Sequence, residues 1–151
     1  MAGQLETGDS LYEVALKLAP PTEYGVNMEV LMSGQVPPPA EGVRFDVPFE
    51  GVSTGRLTGT VTGVDYILVR ADGRFELHIH AAITTQDGEN IAIFADGIAI
   101  PRPDSSVADL RENVTLDTSF KSFTWVNGLQ IWAAGTVNLA KQEVNVRGFV
   151  A

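Results

Sequence analysis

With 151 residues, 44% of them hydrophobic and 19% charged, the chain has the balance of one globular domain with a single core. A formal net charge of −9 without any Lys/Arg run opposes phosphate backbones and anionic membrane surfaces, so neither nucleic acid nor membrane is an expected partner. The lack of cysteine removes disulfides, thiolate metal sites and a cysteine nucleophile together.

Residues 1–10 form a polar leader with neither the basic start nor the apolar middle of a signal peptide, and residues 11–151 are expected to form one domain. No apolar run approaches the ~18–20 residues of a membrane helix. A cytoplasmic location is the resulting expectation, and the sequon at Asn113 reads as accidental. Alternation from Leu11 to Leu18 predicts a strand that Pro20-Pro21 stops, and residues 33–42 read as a loop. From Arg44 to Ile100 strand follows strand. Arg56–Thr62, Val64–Arg70, Phe75–Thr84 and Glu89–Ile100 are divided by turn signals at Thr62-Gly63, Asp72-Gly73 and Asp87-Gly88.

Residues 104–112 are the predicted helix, with Asp104, Ser105 or Ser106 as its cap. Strands then follow over Thr115–Trp125, Gln130–Leu139 and Glu143–Val150. The pattern predicts an all-β fold: a single closed or nearly closed antiparallel barrel of about eight strands with one short helix. Closure is preferred because it removes exposed sheet edges. Ile91, Ile93 and Ile131 read as outward apolar positions that a homo-oligomer would cover.

Hairpin register sets the candidate site. A two-residue loop at Asp72-Gly73 would pair Asp65 with His80, Ile67 with His78 and Val69 with Glu76. The same geometry at Asp87-Gly88 would set Ala95 beside His80 and Gly97 beside His78. One face would then carry Asp65, Glu76, His78 and His80 beside two small residues, with side chains ~4.5–5.5 Å apart at Cβ. That face is either a solvated outer surface or a lumen with room for a ligand. In the second case Asp65 would tune the histidines for proton transfer near neutral pH.

Two histidines with one carboxylate also match a metal site in residue type. The cupin arrangement, however, is not met: the glycine and glutamate spacings fail and a third histidine is missing. Gly55, Gly59 and Gly63 recur every four residues, which is not a dinucleotide loop; they mark bends or bulges in strands. Trp125 and Trp132 read as core aromatics or as pocket walls.

The stretch from Phe49 to Gly73 resembles a small-barrel family, domain-of-unknown-function family 3237. It matches at Gly55, Leu57, Gly59, Gly63, Asp65, Arg70, Asp72 and Gly73, with Tyr66 where the family usually has Trp. Thr85-Gln-Asp-Gly88, Ile91, Gly97 and Trp125-Val-Asn127 extend the resemblance, which spans roughly residues 11–140. It implies a calycin-like or allene-oxide-cyclase-like barrel, often self-associating, with a central cavity, and no named activity. The chain departs from the family at His78 and His80, where relatives commonly carry Asp and Arg.

The reading that follows is a small-molecule-binding barrel acting as a cofactor-independent lyase or isomerase, hydratase-like in its proton transfers. His78, His80 and Asp65 are the candidate catalytic residues. Tyr66, Trp125, Asn127, Ala95 and Gly97 would shape a pocket for a small apolar or aromatic oxygenated molecule. No cofactor or metal is expected in this reading. The alternatives are a non-catalytic ligand carrier or assembly module, and a metal-dependent barrel built on His78, His80 and a carboxylate.

Overall fold

The computed structural model describes residues 4–151. Among them nine strands form one antiparallel sheet: β1 (Ser10–Leu18), β2 (Thr22–Glu23), β3 (Val43–Gly55), β4 (Gly59–Val69), β5 (Phe75–Thr84), β6 (Asn90–Pro101), β7 (Val107–Asp117), β8 (Ile131–Asn138) and β9 (Glu143–Val150). β3 through β9 run as a meander. β1 pairs with β9 on one side, from Ser10 opposite Phe149 to Lys17 opposite Glu143, and with β3 on the other, from Tyr12 opposite Gly55 to Leu18 opposite Phe49. Eight strands therefore close on themselves. The short β2 lies outside the closed ring, on the first half of β3.

Closure makes the period-two alternation decisive. Inward positions carry Val47 and Phe49 on β3, Leu77 and Ile83 on β5, Ile91 and Ala95 on β6, Leu110 and Val114 on β7, and Val144 and Val146 on β9, all buried. One end of the ring is filled: Leu11, Leu57, Ile83, Ile91, Ile131 and Val126 have essentially no exposure. Val126 belongs to a 3₁₀ helix, Lys121–Gly128, lying between β7 and β8. At the other end sits α1 (Met28–Met32), capped by the Asn27 side chain, which accepts from the Val30 N–H.

The barrel expectation holds, and several local expectations are corrected. Residues 104–112 are not a helix. Arg102 N–H donates to Val107 C=O across a loop, and the chain from Val107 runs as β7. Ala108, Leu110, Val114 and Leu116 alternate inward there, and Glu112 at the middle inward position masks the period in sequence. The predicted break at Thr62-Gly63 lies inside β4, which is continuous. The end of the expected strand 115–125 is the 3₁₀ segment. Ile91 and Ile131 are fully buried and Ile93 packs against the core, so none of the three is an outward residue.

The largest correction is register. Arg70 N–H donates to Arg74 C=O and Gly73 N–H to Arg70 C=O, so the loop has three residues, Ala71-Asp72-Gly73, with Gly73 left-handed at φ 89°. The Thr85–Glu89 loop repeats this closure, with Gly88 at φ 80°. A left-handed glycine closing a type I turn is the three-residue hairpin solution. Compared with a two-residue loop it slips the pairing by one, which exchanges sheet faces. Asp65 consequently pairs with Ile79, Val64 with His80 and His80 with Phe94.

Gly97 on β6 faces Glu112 on β7, and a Cβ added there would lie 2.0 Å from the Arg111 carbonyl oxygen. Its missing side chain lets β6 and β7 approach. Gly97→Ala should lose about 1–3 kcal/mol in urea denaturation. Gly128→Ala, where a Cβ meets nothing within 4 Å, should change stability by less than about 0.5 kcal/mol.

Candidate functional site

The barrel encloses a cavity of about 110 Å³, lined by side chains from all eight ring strands and by Met28 and Met32 of α1. Its walls are aliphatic and aromatic except at three residues: Asp65 of β4, Glu112 of β7 and Tyr12 of β1. Among the described residues no Lys, Arg or His lines it. The cavity is somewhat smaller than the ~150 Å³ that admits benzene in an engineered apolar core, so a ligand of one ring would enter with a shift of the flexible Met28 and Met32 side chains.

Asp65 accepts a hydrogen bond from the His78 N–H at 3.0 Å. Burial raises its pKa to about 6, with the His78 N–H and the nearby His78 charge acting in the opposite direction. Glu112 has no hydrogen-bond partner among the described residues. Burial, reinforced by the negative charge of Asp65, raises its pKa to about 8. Between roughly these two values the lumen holds one carboxylate and one neutral carboxylic acid. Unequal environments have separated two chemically similar groups.

Cross-strand order explains how Glu112 comes near Tyr12. Glu112 pairs with Ala133, Ala133 with Gly148, and Gly148 with Tyr12. Only small residues separate the two across this row. A Cβ on Gly148 would lie 2.4 Å from the Tyr12 ring, so the ring rests on the glycine backbone. Tyr12 is 5% exposed, and burial with the Glu112 charge raises its pKa. Its hydroxyl has no hydrogen-bond partner among the described residues.

The structure divides the residues expected from sequence. Asp65 and Ala95 line the cavity. His78, His80 and Tyr66 are on the outer face, where the His80 ring packs edge-on against Tyr66 (5.8 Å) and Phe94 (5.2 Å). The His78 Nδ1 lies 3.2 Å from the Tyr66 carbonyl oxygen, and since a carbonyl only accepts, Nδ1 is the donor. Trp125 and Asn127 belong to the 3₁₀ plug. The Trp125 indole donates to the Ser122 carbonyl, and Asn127 accepts from the Thr118 N–H while donating to its C=O. Gly97 serves strand approach. Among the described residues no three His, Asp or Glu side chains gather as a metal would require.

Glu112, Tyr12 and the two methionines were not singled out by sequence reasoning. The signal for Glu112 was present: once residues 107–117 are read as a strand, it stands in phase with Leu110 and Val114.

The family model described as Protein of unknown function (DUF3237) matches residues 10–149. The chain belongs to this family. Solved structures with the fold of this DUF3237 protein include a protein of unknown function from Clostridium acetobutylicum ATCC 824 (TM-score 0.76, 20% identity, covering 97% of this chain and 99% of that one). A beta-barrel like protein from Acinetobacter baumannii AYE matches with TM-score 0.71 and 20% identity, covering 97% and 94%. A third, an enzyme from Penicillium herquei, matches with TM-score 0.63 and 21% identity, covering 97% and 98%. At these identities the likeness carries the fold alone. No curated protein matches. No helix among the described residues is long and apolar enough to cross a membrane.

Both lumen carboxyls hold their protons more tightly folded than unfolded. Their effect on stability is therefore smallest below pH ~4 and destabilising as pH rises through the folded values of about 6 and about 8. Urea denaturation should show a loss of about 2 kcal/mol or more from pH 5 to pH 8. Glu112→Gln should remove much of that loss, and an unchanged slope in this variant would exclude a buried acid at Glu112.

Proposed function

We propose that this DUF3237 barrel catalyses proton transfer on a small, mostly apolar, oxygenated molecule held in its lumen, as a cofactor-independent lyase or isomerase. The observation carrying this reading is the pair of carboxyls, Asp65 and Glu112, opening onto one apolar cavity with proton affinities set apart. Asp65 is the base and Glu112 the acid. A base poised near neutral pH in a dry site is the arrangement that general acid–base catalysis favours. Support of a weaker kind comes from the Penicillium herquei neighbour, which is an enzyme. His78 takes part through its backbone N–H, which holds the Asp65 carboxylate in place. Trp125 and Asn127 contribute by keeping the plugged end closed.

The test is turnover across a panel of enones and lactones. The rate should follow a bell between pH about 6 and about 8, the limbs belonging to Asp65 and Glu112. Asp65→Asn should lower kcat by about 10²–10⁴-fold with the fold intact, and Glu112→Gln should flatten the alkaline limb. Ligand binding with no turnover by the wild type would instead make the protein a carrier. Turnover unaffected by Asp65→Asn would remove the acid–base pair from the chemistry.

A second reading concerns the outer wall. Trp132 is 62% exposed, Phe94 46% and Tyr66 36%, all on sheet faces where side chains usually meet solvent or another chain. We assign the continuous patch of Tyr66, His80 and Phe94 on β4, β5 and β6 to contact with a second copy of the chain; Trp132, on β8, lies on the opposite side of the ring. Light scattering at micromolar concentration should give at least a dimer mass, and Phe94→Glu should shift it toward the monomer. A wild-type monomer mass would overturn the assignment.

A further inference from the structure

We propose that Tyr12 and Glu112 act together as the hydrogen-bond donors for a carbonyl oxygen of the substrate, which makes the substrate a neutral ketone, enone or lactone with an acidic C–H beside that carbonyl. The inference rests on the reading of Asp65 as the base and extends it to the other half of the reaction.

Three observations lead there. Tyr12 is buried as a residue and lines the cavity, its hydroxyl has no partner among the described residues, and because no fully buried side-chain oxygen there lacks a partner, that hydroxyl keeps accessible surface. A hydroxyl without a protein partner on an apolar cavity wall is a free donor for an acceptor that enters. The Glu112 carboxyl is likewise unpartnered, and the row Glu112–Ala133–Gly148–Tyr12 places the two on one level of the wall with only small residues between. Among the described residues no basic side chain lines the cavity, so a carboxylate or phosphate substrate would meet Asp65 without compensation. What fits is an uncharged ligand that offers an acceptor to two donors and a proton to one acceptor.

The step balances without a co-reactant. Asp65 Oδ takes a proton from the carbon next to the carbonyl. The C–H electron pair becomes the C=C bond of an enolate, and the carbonyl π pair moves onto oxygen. Tyr12 O–H and the neutral Glu112 carboxyl hydrogen-bond that oxygen as its charge grows, the point at which donors in a dry site are most effective. Asp65, now protonated, returns its proton to the same carbon or to the far carbon of the enolate, giving exchange or isomerisation.

The experiment uses 4-nitrophenol as a stand-in for the enolate, because its phenolate places negative charge on an oxygen attached to an unsaturated carbon. It also uses 4-nitrotoluene, which has the same ring without that oxygen. Asp65→Asn supplies the background, since the amide imitates Asp65 after it has taken the proton. Binding is followed by the visible absorbance of the phenolate and by calorimetry. In this background the protein should bind 4-nitrophenol and lower the pH at which it ionises. Adding Tyr12→Phe should weaken phenolate binding about 10- to 100-fold and leave 4-nitrotoluene affinity unchanged. The Phe ring keeps the packing on Gly148, so loss of fold is not expected. Equal weakening of both probes, no change for 4-nitrophenol, or no binding of 4-nitrophenol would each overturn the donor pair. Because no turnover is read, these failures are distinct from failure of Asp65 as base, which is judged on the substrate panel.

Discussion

In a closed sheet every side chain points either into the lumen or away from it, and the lengths of the hairpin loops decide which. Three-residue closures at Gly73 and Gly88 set β4, β5 and β6 in phase, so that odd-numbered residues on all three strands share the interior. Asp65 enters the apolar core on that account and its outward neighbours become wall. With one residue fewer in the first loop, the meander would have to bury His78 and His80 together with Asp65 or expose Leu77 and Ile79. Loop chemistry thus selects which ionisable groups are removed from water, and the rest of the site follows.

Water removal explains the character of the two carboxyls. Neither is satisfied in the way buried acids in structural roles are: Asp65 receives a single backbone N–H, and Glu112 receives no hydrogen bond among the described residues. The surface acids behave differently. Asp46, Asp72 and Asp109 each meet an arginine and are held below the usual carboxylate range by it. The fold therefore places its arginine pairs outside, where such pairs add little stability, and leaves the interior acids without a cation. Interior acids left unpaired in this way are the feature on which the proposed proton transfer rests.

Much of the architecture was legible in the sequence because strand alternation and turn residues are local signals. β1 and β9 were found to within a residue of their ends, and closure was expected because it removes exposed sheet edges. The site was legible only in part. Asp65 was found as a carboxylate on a strand rich in apolar residues, but its company was misplaced, because Asp-Gly signals a turn without fixing whether two or three residues form the loop. Glu112 lay within residues whose helix-forming composition and serine caps mimic a helix start. Tyr12 looked like any core aromatic of a first strand. Its relation to Glu112 depends on β8 and β9 standing between them, a long-range fact that no local pattern encodes.

The plug at one end gives the barrel the topology of a cup. Val126 and its neighbours fill the base, while the methionines of α1 stand at the rim beside Leu18 and Leu139. A vessel with one mouth cannot pass material through; whatever enters must leave along the same path before another molecule takes its place. Exchange is then strictly sequential, and bulky unbranched methionine side chains, able to change shape without leaving contact, are a suitable rim for such traffic. Selection by size would occur at the rim and selection by chemistry on the mid-barrel wall where Asp65 and Glu112 stand, at positions open to separate change.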